Sequence, residues 1–211
     1  MGAKTTMLVA TSTNAKSVFA SYPTLDREGA AALLGDYFPG KKFVAASDGN
    51  LWDTYPAKDE VYVGHFPGVA VVAADEFGID YPSRLPSHFI RTAGAQTVYL
   101  HAMHSVVDFF AYGIWHNGEL VRSLSLAPDH GIMEEIGDRP AFELPYWAGK
   151  HPVDDPEDLA DPEYEPYPFP FHPLDLGEAA LREFFGYQIE GFVDSSLVDA
   201  SRIPLLRFKR K

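Results

Sequence analysis

Two histidines and an aspartate lie close together near the middle of the 211-residue chain and have side chains that can do chemistry. His101, His104 and Asp108 form the pattern H-x-x-H-x-x-x-D. On a helix the three side chains would share one face, where two imidazoles and a carboxylate could bind a metal ion. On a continuous strand His104 and Asp108 would share one face and His101 would lie on the other. Flanking valine, tyrosine and phenylalanine residues favour a strand, so a three-residue site needs a bulge or turn near Ser105.

This segment has three interpretations. His104 and Asp108 could share a strand face with Tyr112 and Ser125. Such a group can be a hydrogen-bond network that joins two strands, a binding or catalytic pocket, or a metal site. Of these three arrangements, a hydrogen-bond network that only joins two strands is the most common in proteins. The candidate catalytic residues are His101, His104, Asp108 and Tyr112, and we assign no bound metal and no cofactor.

An Asn-Gly pair at 117–118 predicts a β-hairpin around these residues, because both central positions of the tight turn need positive φ. We expect strands over 108–116 and 119–127, with Ala111 opposite Leu124. One face should be core, and the other should be mixed enough to be a partly solvated surface or the wall of a pocket. The core face is Phe109, Ala111, Gly113, Trp115, Leu120, Arg122, Leu124 and Leu126.

The remaining patterns indicate an α+β fold. A strand over 4–11, a helix over 29–38 and a strand over 42–47 predict a β-α-β start. A hairpin follows around Pro67-Gly68, and then a strand over 96–102. We therefore expect a single domain over 1–211, with a mixed, mostly antiparallel sheet and covering helices. Its parts are a sheet body over 1–150, an acidic proline-rich arm over 151–176, and a C-terminal helix and strand over 177–211.

The glycines of residues 35–42 (GDYFPGKK) come close to a P-loop, but we interpret them as the end of a helix. Lysine occupies the position of the Ser or Thr that would hold magnesium, and the glycines follow a helix instead of preceding one. The chain also contains no GxGxxG, GxSxG or HExxH motif and no cysteine. A dehydrogenase, a serine hydrolase and a cysteine nucleophile therefore have no support.

Charge is distributed unevenly along the chain. Thirty acidic against 17 basic residues give a formal net charge of −13, which argues against a nucleic-acid partner. Residues 151–181 contain nine of the acids and no Lys or Arg, and seven prolines fall between 152 and 173. We expect this arm to be extended, with its aromatic part over 164–173 laid onto the body. The C-terminal cations should form a solvated tail or contact the acids of 151–165: Arg207, Lys209, Arg210 and Lys211.

Several segments together resemble a family of bacterial, mainly actinobacterial, proteins catalogued as domain of unknown function 6928. The segments are 1–9 (MGAKTTMLV), 61–68 (VYVGHFPG), 97–112 (TVYLHAMHSVVDFFAY), 122–137 (RSLSLAPDHGIMEEIG), 144–153 (LPYWAGKHPV) and 167–176 (YPFPFHPLDL). The resemblance covers nearly the whole chain. It implies a bacterial cytoplasmic setting and assigns no activity, cofactor or catalytic residue.

The function predicted from these observations is that of a soluble cytoplasmic binding or interaction protein. No stretch has the length and apolarity of a membrane span or of a secretory signal, so we expect no membrane contact. The partner, a protein or a small molecule, stays unknown, as does the oligomeric state. The alternative is a small-molecule or metal-dependent enzyme that uses the His/Asp/Tyr group around 101–112.

Overall fold

A single open sheet runs through the computed structural model, which describes residues 2–91, 95–155, 157–191 and 194–211. The order of the described strands is β2-β10-β4-β5-β1-β6-β7-β8-β9, and β3 also pairs with β10. The strands are β1 (Lys4–Thr11), β2 (Phe43–Ala45), β3 (Gly49–Asn50), β4 (Glu60–Phe66), β5 (Val69–Ala73), β6 (Thr97–His104), β7 (Phe109–His116), β8 (Glu119–Ala127), β9 (Gly131–Ile136) and β10 (Pro204–Arg210).

Helices cover both faces of this sheet. They are α1 (Ala15–Ala20), α2 (Arg27–Tyr37), α3 (Ser87–Ile90), α4 (Leu144–Trp147) and α5 (Pro173–Phe185). Side chains of the central strand β1 alternate between two buried cores, with Met7 and Val9 on the side of α1 and α5 and Leu8 on the side of α2 and α3. We call these the α5 face and the α2 face. Burial on both faces explains why residues 7–10 in the middle of β1 are all apolar.

Helices α2 and α5 end at residues that favour helix termini. The Asp26 carboxylate caps α2 by accepting a hydrogen bond from the backbone N–H of Gly29 at 3.0 Å. The helix ends at Tyr37, and Gly40 follows with a φ of +78°. The near P-loop sequence is therefore the end of a helix, as predicted. Helix α5 ends at Gly186 in the left-handed conformation that favours glycine.

The proline-rich arm is anchored by its aromatic half, as the sequence predicts. Phe169 and Phe171 are buried in the core of the α5 face. Burial of an aromatic side chain of this size stabilises a fold by about 1.5–3 kcal/mol. Helix α5 begins at Pro173 and not at 177, because proline is well tolerated in the first helical turn. The arm is thus shorter than predicted at its C-terminal end.

The predicted β-α-β order at the start of the chain is present, but its two strands are not neighbours in the sheet. Strands β1 and β2 do not neighbour each other, because β5, β4 and β10 lie between them. Every pairing between described strands is antiparallel, so the sheet is not mixed there. Sequence periodicity places a strand after a helix, but it does not say where in the sheet that strand pairs.

The C-terminal cations do not form a tail. They lie in or directly after β10, which pairs with β2, β3 and β4. Arg207 and Lys209 form ion pairs with Glu60, and Arg210 pairs with Glu76 at 2.6 Å. The predicted solvated tail is therefore wrong, although the side chain of Lys209 stays exposed, and these three residues pair with Glu60 and Glu76 and not with the acidic arm of the same chain.

The predicted hairpin forms, but its register changes partway along. Ile114 pairs with Arg122 and Trp115 pairs with Leu120, so β8 contains a one-residue irregularity. Beyond it, Ala111 pairs with Ser125 and not with Leu124. The assignment of one face as core also fails, because large buried side chains of the hairpin lie on both faces.

Candidate functional site

The four candidate catalytic residues lie in separate surroundings. A turn after β6 separates His104 from Asp108, so the strand that would have aligned them is interrupted. His101 and Tyr112 are cross-strand neighbours on the α5 face. His104 is on the opposite face, three residues along the same strand. The structure thus does not bring the H-x-x-H-x-x-x-D residues into one site.

His101 is fully buried under α5. Its Nε2 lies 3.0 Å from the carbonyl oxygen of Gly177, so Nε2 donates, and Nδ1 accepts from the Thr5 hydroxyl at 2.6 Å. Burial lowers the pKa of His101 to about 4, so the ring is neutral near pH 7. Both ring nitrogens of His101 therefore form hydrogen bonds within the fold, and these two hydrogen bonds join β1, β6 and α5.

Tyr112 belongs to a buried ionic network on the α5 face. Its hydroxyl donates to the carboxylate of Glu143 and accepts from Nε of Arg122 at 3.1 Å. The guanidinium of Arg122 also pairs with Glu143 through Nη2 at 2.8 Å, and Trp147 donates to the same carboxylate at 2.9 Å. Burial, followed by the Glu143 charge, raises the pKa of Tyr112 well above its usual range. The network ties α4 to the sheet.

Asp108 contacts the arm and the start of α5. It occupies the turn between β6 and β7 with a φ of +46°, an uncommon conformation for a residue other than glycine. Its Oδ2 lies 3.3 Å from the hydroxyl of Tyr167 and 3.4 Å from Nε2 of His172. His172 in turn caps α5 by accepting from the N–H of Leu174 at 3.3 Å. Asp108 therefore positions these two elements.

His104 is the one candidate that lines a cavity. Its Nδ1 accepts a hydrogen bond from the N–H of Val106 at 3.3 Å, which leaves the proton of the neutral ring on Nε2. Burial, and then the charge of Lys4, lower the pKa of His104. The ring of Tyr55 meets it edge to face, with centroids 5.5 Å apart. Near pH 7 His104 is thus a neutral hydrogen-bond donor.

The cavity beside His104 has a volume of about 310 Å³, which is the lower end of the usual range for ligand pockets. It lies on the α2 face, at the end of the sheet where β6 turns into β7. Its lining residues are Thr5, Thr6, Tyr55, Asp75, Gly78, Asp80, Ala102, Met103, His104, Val107, Phe109, Ala127, Asp129, His130 and Met133. We call it the His104 cavity.

Small side chains create this space. Thr6 pairs with Ala102 across β1 and β6, and alternation places both on the same face as the large core residue Leu8. Further along the same face, Leu100 and Trp115 fill the corresponding positions. The side chains of Thr6 and Ala102 are too short to fill their positions. The space that they leave is the buried floor of the cavity.

The hydroxyl of Thr6 is buried and has no hydrogen-bond partner among the described residues. Only 6% of the residue is exposed. An unsatisfied buried hydroxyl costs about 1–3 kcal/mol, so a polar atom supplied by a ligand would stabilise it. This feature lies outside the H-x-x-H-x-x-x-D pattern, and sequence inspection had no signal for it.

Three carboxylates stand at the rim of the His104 cavity. Asp75 and Asp80 lie on the segment after β5, and Asp129 lies in the turn after β8. Within the described part of the chain, none of the three side chains forms a hydrogen bond or an ion pair. Sequence analysis did not single them out, because they come from segments 50 residues apart that meet only in the folded sheet.

A second, larger cleft of about 1080 Å³ lies beside α5. Glu178 lines it and is 6% exposed. Its two carboxylate oxygens accept the N–H groups of Ile189 and Glu190, each at 2.9 Å. Burial outweighs these hydrogen bonds and raises the pKa of Glu178 to about 7. The carboxylate joins α5 to the loop that follows it.

Neither a metal-binding group nor a membrane-spanning helix is found in the part of the chain that the structure describes. No group of three or more His, Asp and Glu residues is placed so that it could hold a metal ion. No helix there is long and apolar enough to cross a bilayer.

Comparisons with known proteins place the chain in a family. No curated protein and no solved structure matches it. A family model described as a family of unknown function, DUF6928, matches residues 5–208, from the second residue of β1 into β10. The match therefore includes the His104 cavity and the whole sheet core between these strands. This chain belongs to the family of unknown function DUF6928.

Proposed function

We propose that the protein binds a small molecule in the His104 cavity. The observation that carries this proposal is a pocket with a buried floor that contains an unpaired hydroxyl, that of Thr6. Buried polar groups in folded proteins are almost always hydrogen-bonded. A ligand atom that pairs with this hydroxyl would complete the site.

The walls of the cavity have the composition of a ligand site. Phe109 and Met133 are half-buried and apolar, and His104 adds a polar group that donates from Nε2. Ligand sites usually combine such apolar walls with a few polar groups that fix the orientation of the ligand. Binding without a chemical step needs nothing more than this arrangement.

The enzyme alternative has less support from the geometry. The polar atoms of His101 and Tyr112 are occupied by bonds within the fold. Nδ1 of His104 accepts a backbone hydrogen bond, so the neutral ring has no free basic nitrogen. A general base needs a free lone pair within reach of the proton it removes, and none of these three predicted residues offers one.

A fragment screen by methyl NMR tests the proposal. The protein is labelled at alanine and methionine methyl groups and titrated with a library of polar fragments. We expect a subset of fragments to shift the signals of Ala102, Ala127 and Met133, which line the cavity. Signals of exposed alanines on α2, such as Ala31, should not move.

A cavity-filling variant provides the control. Ala102→Leu places a larger side chain on the floor and should abolish the shifts at Ala127 and Met133, whereas Ala31→Leu on the exposed side of α2 should leave them intact. If Ala102→Leu does not fold, Thr6→Val removes the hydroxyl at nearly constant volume and should weaken the bound fragments. A library that moves none of the three methyl signals would refute the proposal.

A further inference from the structure

We infer that the His104 cavity takes a small organic cation, a protonated amine that also carries a neutral hydrogen-bond acceptor. The inference rests on the proposed function and adds the chemical class of the ligand. It combines two independent features of the cavity, the charge of its rim and the polarity of its buried floor.

The rim carries more negative than positive charge, because three carboxylates stand there against one nearby ammonium group, that of Lys4. Asp75, Asp80 and Asp129 have no ion-pair partner within the described ranges, and no Lys or Arg lines the cavity. A concave site with one sign of charge concentrates ligands of the opposite sign. An anionic ligand would meet repulsion from three carboxylates, and a protonated amine would meet attraction from each of them.

The three carboxylates surround the opening from two sides. The segment after β5, which carries Asp75 and Asp80, packs over β1 and β6. Asp129 comes from the turn after β8. A compact metal ion needs converging ligands, and the described residues contain no such group. An organic cation extends over several atoms and is suited to carboxylates that are spread around an opening.

An aromatic ring at the rim already holds an ammonium group. Nζ of Lys4 lies 5.2 Å from the centroid of Tyr55, within the range of a cation–π contact. Tyr55 lines the cavity, whereas Lys4 does not. The face of Tyr55 is therefore already occupied by the ammonium group of Lys4, and the three carboxylates are the groups of the rim that remain for an alkylammonium ligand.

The buried part of the cavity needs a different partner. Thr6 has a hydroxyl proton without an acceptor, and His104 has a proton on Nε2. Both groups can donate to a neutral oxygen on the ligand, such as a hydroxyl or a carbonyl. The ligand thus has its charge at the rim and an acceptor at the floor.

Four probes of equal chain length separate these requirements. Aminopentanol carries the amine and the hydroxyl, pentylamine carries only the amine, pentanediol carries only hydroxyls, and hydroxypentanoate replaces the amine by a carboxylate. Each is titrated into the full chain, and affinity is read from the cavity methyl signals of Ala102, Ala127 and Met133. We expect aminopentanol to bind most tightly, with pentanediol about tenfold weaker and hydroxypentanoate weaker still.

Variants assign each end of the probe to its part of the cavity. Asp75→Asn and Asp129→Asn should each weaken both amines about fivefold and leave pentanediol unchanged, because they remove only charge. Thr6→Val should weaken aminopentanol about threefold and leave pentylamine unchanged, because it removes only the partner of the hydroxyl. Asp36→Asn, an exposed position on α2, is the matched control and should change no affinity.

The outcomes distinguish this inference from the proposed function. If pentanediol or hydroxypentanoate shifts the cavity signals at lower concentration than aminopentanol, the cavity binds small molecules but the cationic class is wrong. If pentylamine equals aminopentanol, the acceptor requirement is wrong. If none of the four probes binds, the inference is overturned, and the fragment screen then decides whether the cavity binds any small molecule.

Discussion

Glu178 should make the stability of the fold depend on pH. Its carboxylate is buried beside α5 and accepts the N–H groups of Ile189 and Glu190. The charge of Arg182 stabilises the ionised form, and that of Glu190 opposes it. Burial is the largest effect, and it raises the pKa of Glu178 from 4.5 to about 7.

The sign and size of the effect follow from linkage. Because the folded state holds the proton more tightly than the unfolded state, the contribution of Glu178 to stability is fully present below pH 4.5. It is lost as the pH rises through the folded pKa of about 7. The difference between these pKa values, at about 1.4 kcal/mol per pH unit, corresponds to about 3 kcal/mol.

Urea unfolding followed by tryptophan fluorescence measures this loss. The free energy of unfolding of the wild type, minus that of Glu178→Gln, should fall by about 3 kcal/mol between pH 4.5 and 8. The glutamine cannot ionise, so it removes this pH dependence, and its amide nitrogen cannot accept the hydrogen bond that one oxygen of the Glu178 carboxylate accepts. Glu183→Gln, at an exposed position on the same helix, should follow the wild type in parallel. Parallel profiles for Glu178→Gln and the wild type would show that the carboxylate is not buried in this way.

Three further predictions concern the α5 face, and the exposed Gly35 of α2 provides the contrast for one of them. The imidazole carbon-bound protons of His101 should show no titration in NMR spectra between pH 8 and 5.5, because its pKa is lowered to about 4; a midpoint near 6.5 would contradict its burial. Gly177→Ala should destabilise the fold by about 1–3 kcal/mol, since an added Cβ would lie 2.7 Å from Sδ of Met103. Gly35→Ala on α2, where nothing lies within 4 Å, should instead stabilise it by about 0.5–1 kcal/mol in the same thermal melts. Glu143→Gln should cost about 3–5 kcal/mol in denaturant unfolding, because it removes the buried carboxylate at 2.8 Å from Arg122 and leaves only Glu135, at 3.5 Å, as its ionic partner; a loss below 1 kcal/mol would indicate that the pair is solvated.

The sequence predicted local structure better than pairing. The strand β1, the end of helix α2 before Gly40, and the Asn-Gly turn at 117–118 are each encoded within a few residues, and all three are present in the structure. The position of β2 at the edge of the sheet, and of β10 beside it, depends on contacts between residues far apart in sequence. Short-range patterns contain no information about those contacts.

The irregularity in β8 shows how one residue alters a prediction for a whole face. The tight turn keeps Trp115 opposite Leu120, and a regular register from there puts Tyr112 opposite Ser123, on the same face as Ser125. An extra residue before Arg122 shifts the register, and the partner of Tyr112 becomes Leu124. Arg122 consequently reaches the carboxylate of Glu143, an ionic partner 21 residues later that the sequence pattern did not reveal.

The different environments of His101 and His104 follow from the two-residue period of a strand. Residues three apart on β6 must face opposite sides, so a single covering helix can bury only one of the two imidazoles. Helix α5 covers the His101 side and supplies the carbonyl oxygen of Gly177 as its partner. On the opposite side the small side chain of Ala102 leaves the floor open beside His104. The sequence places the two histidines on different faces of the sheet. Helix α5, which follows more than 70 residues later in the chain, covers the face of His101, and His104 is therefore the histidine that faces a cavity.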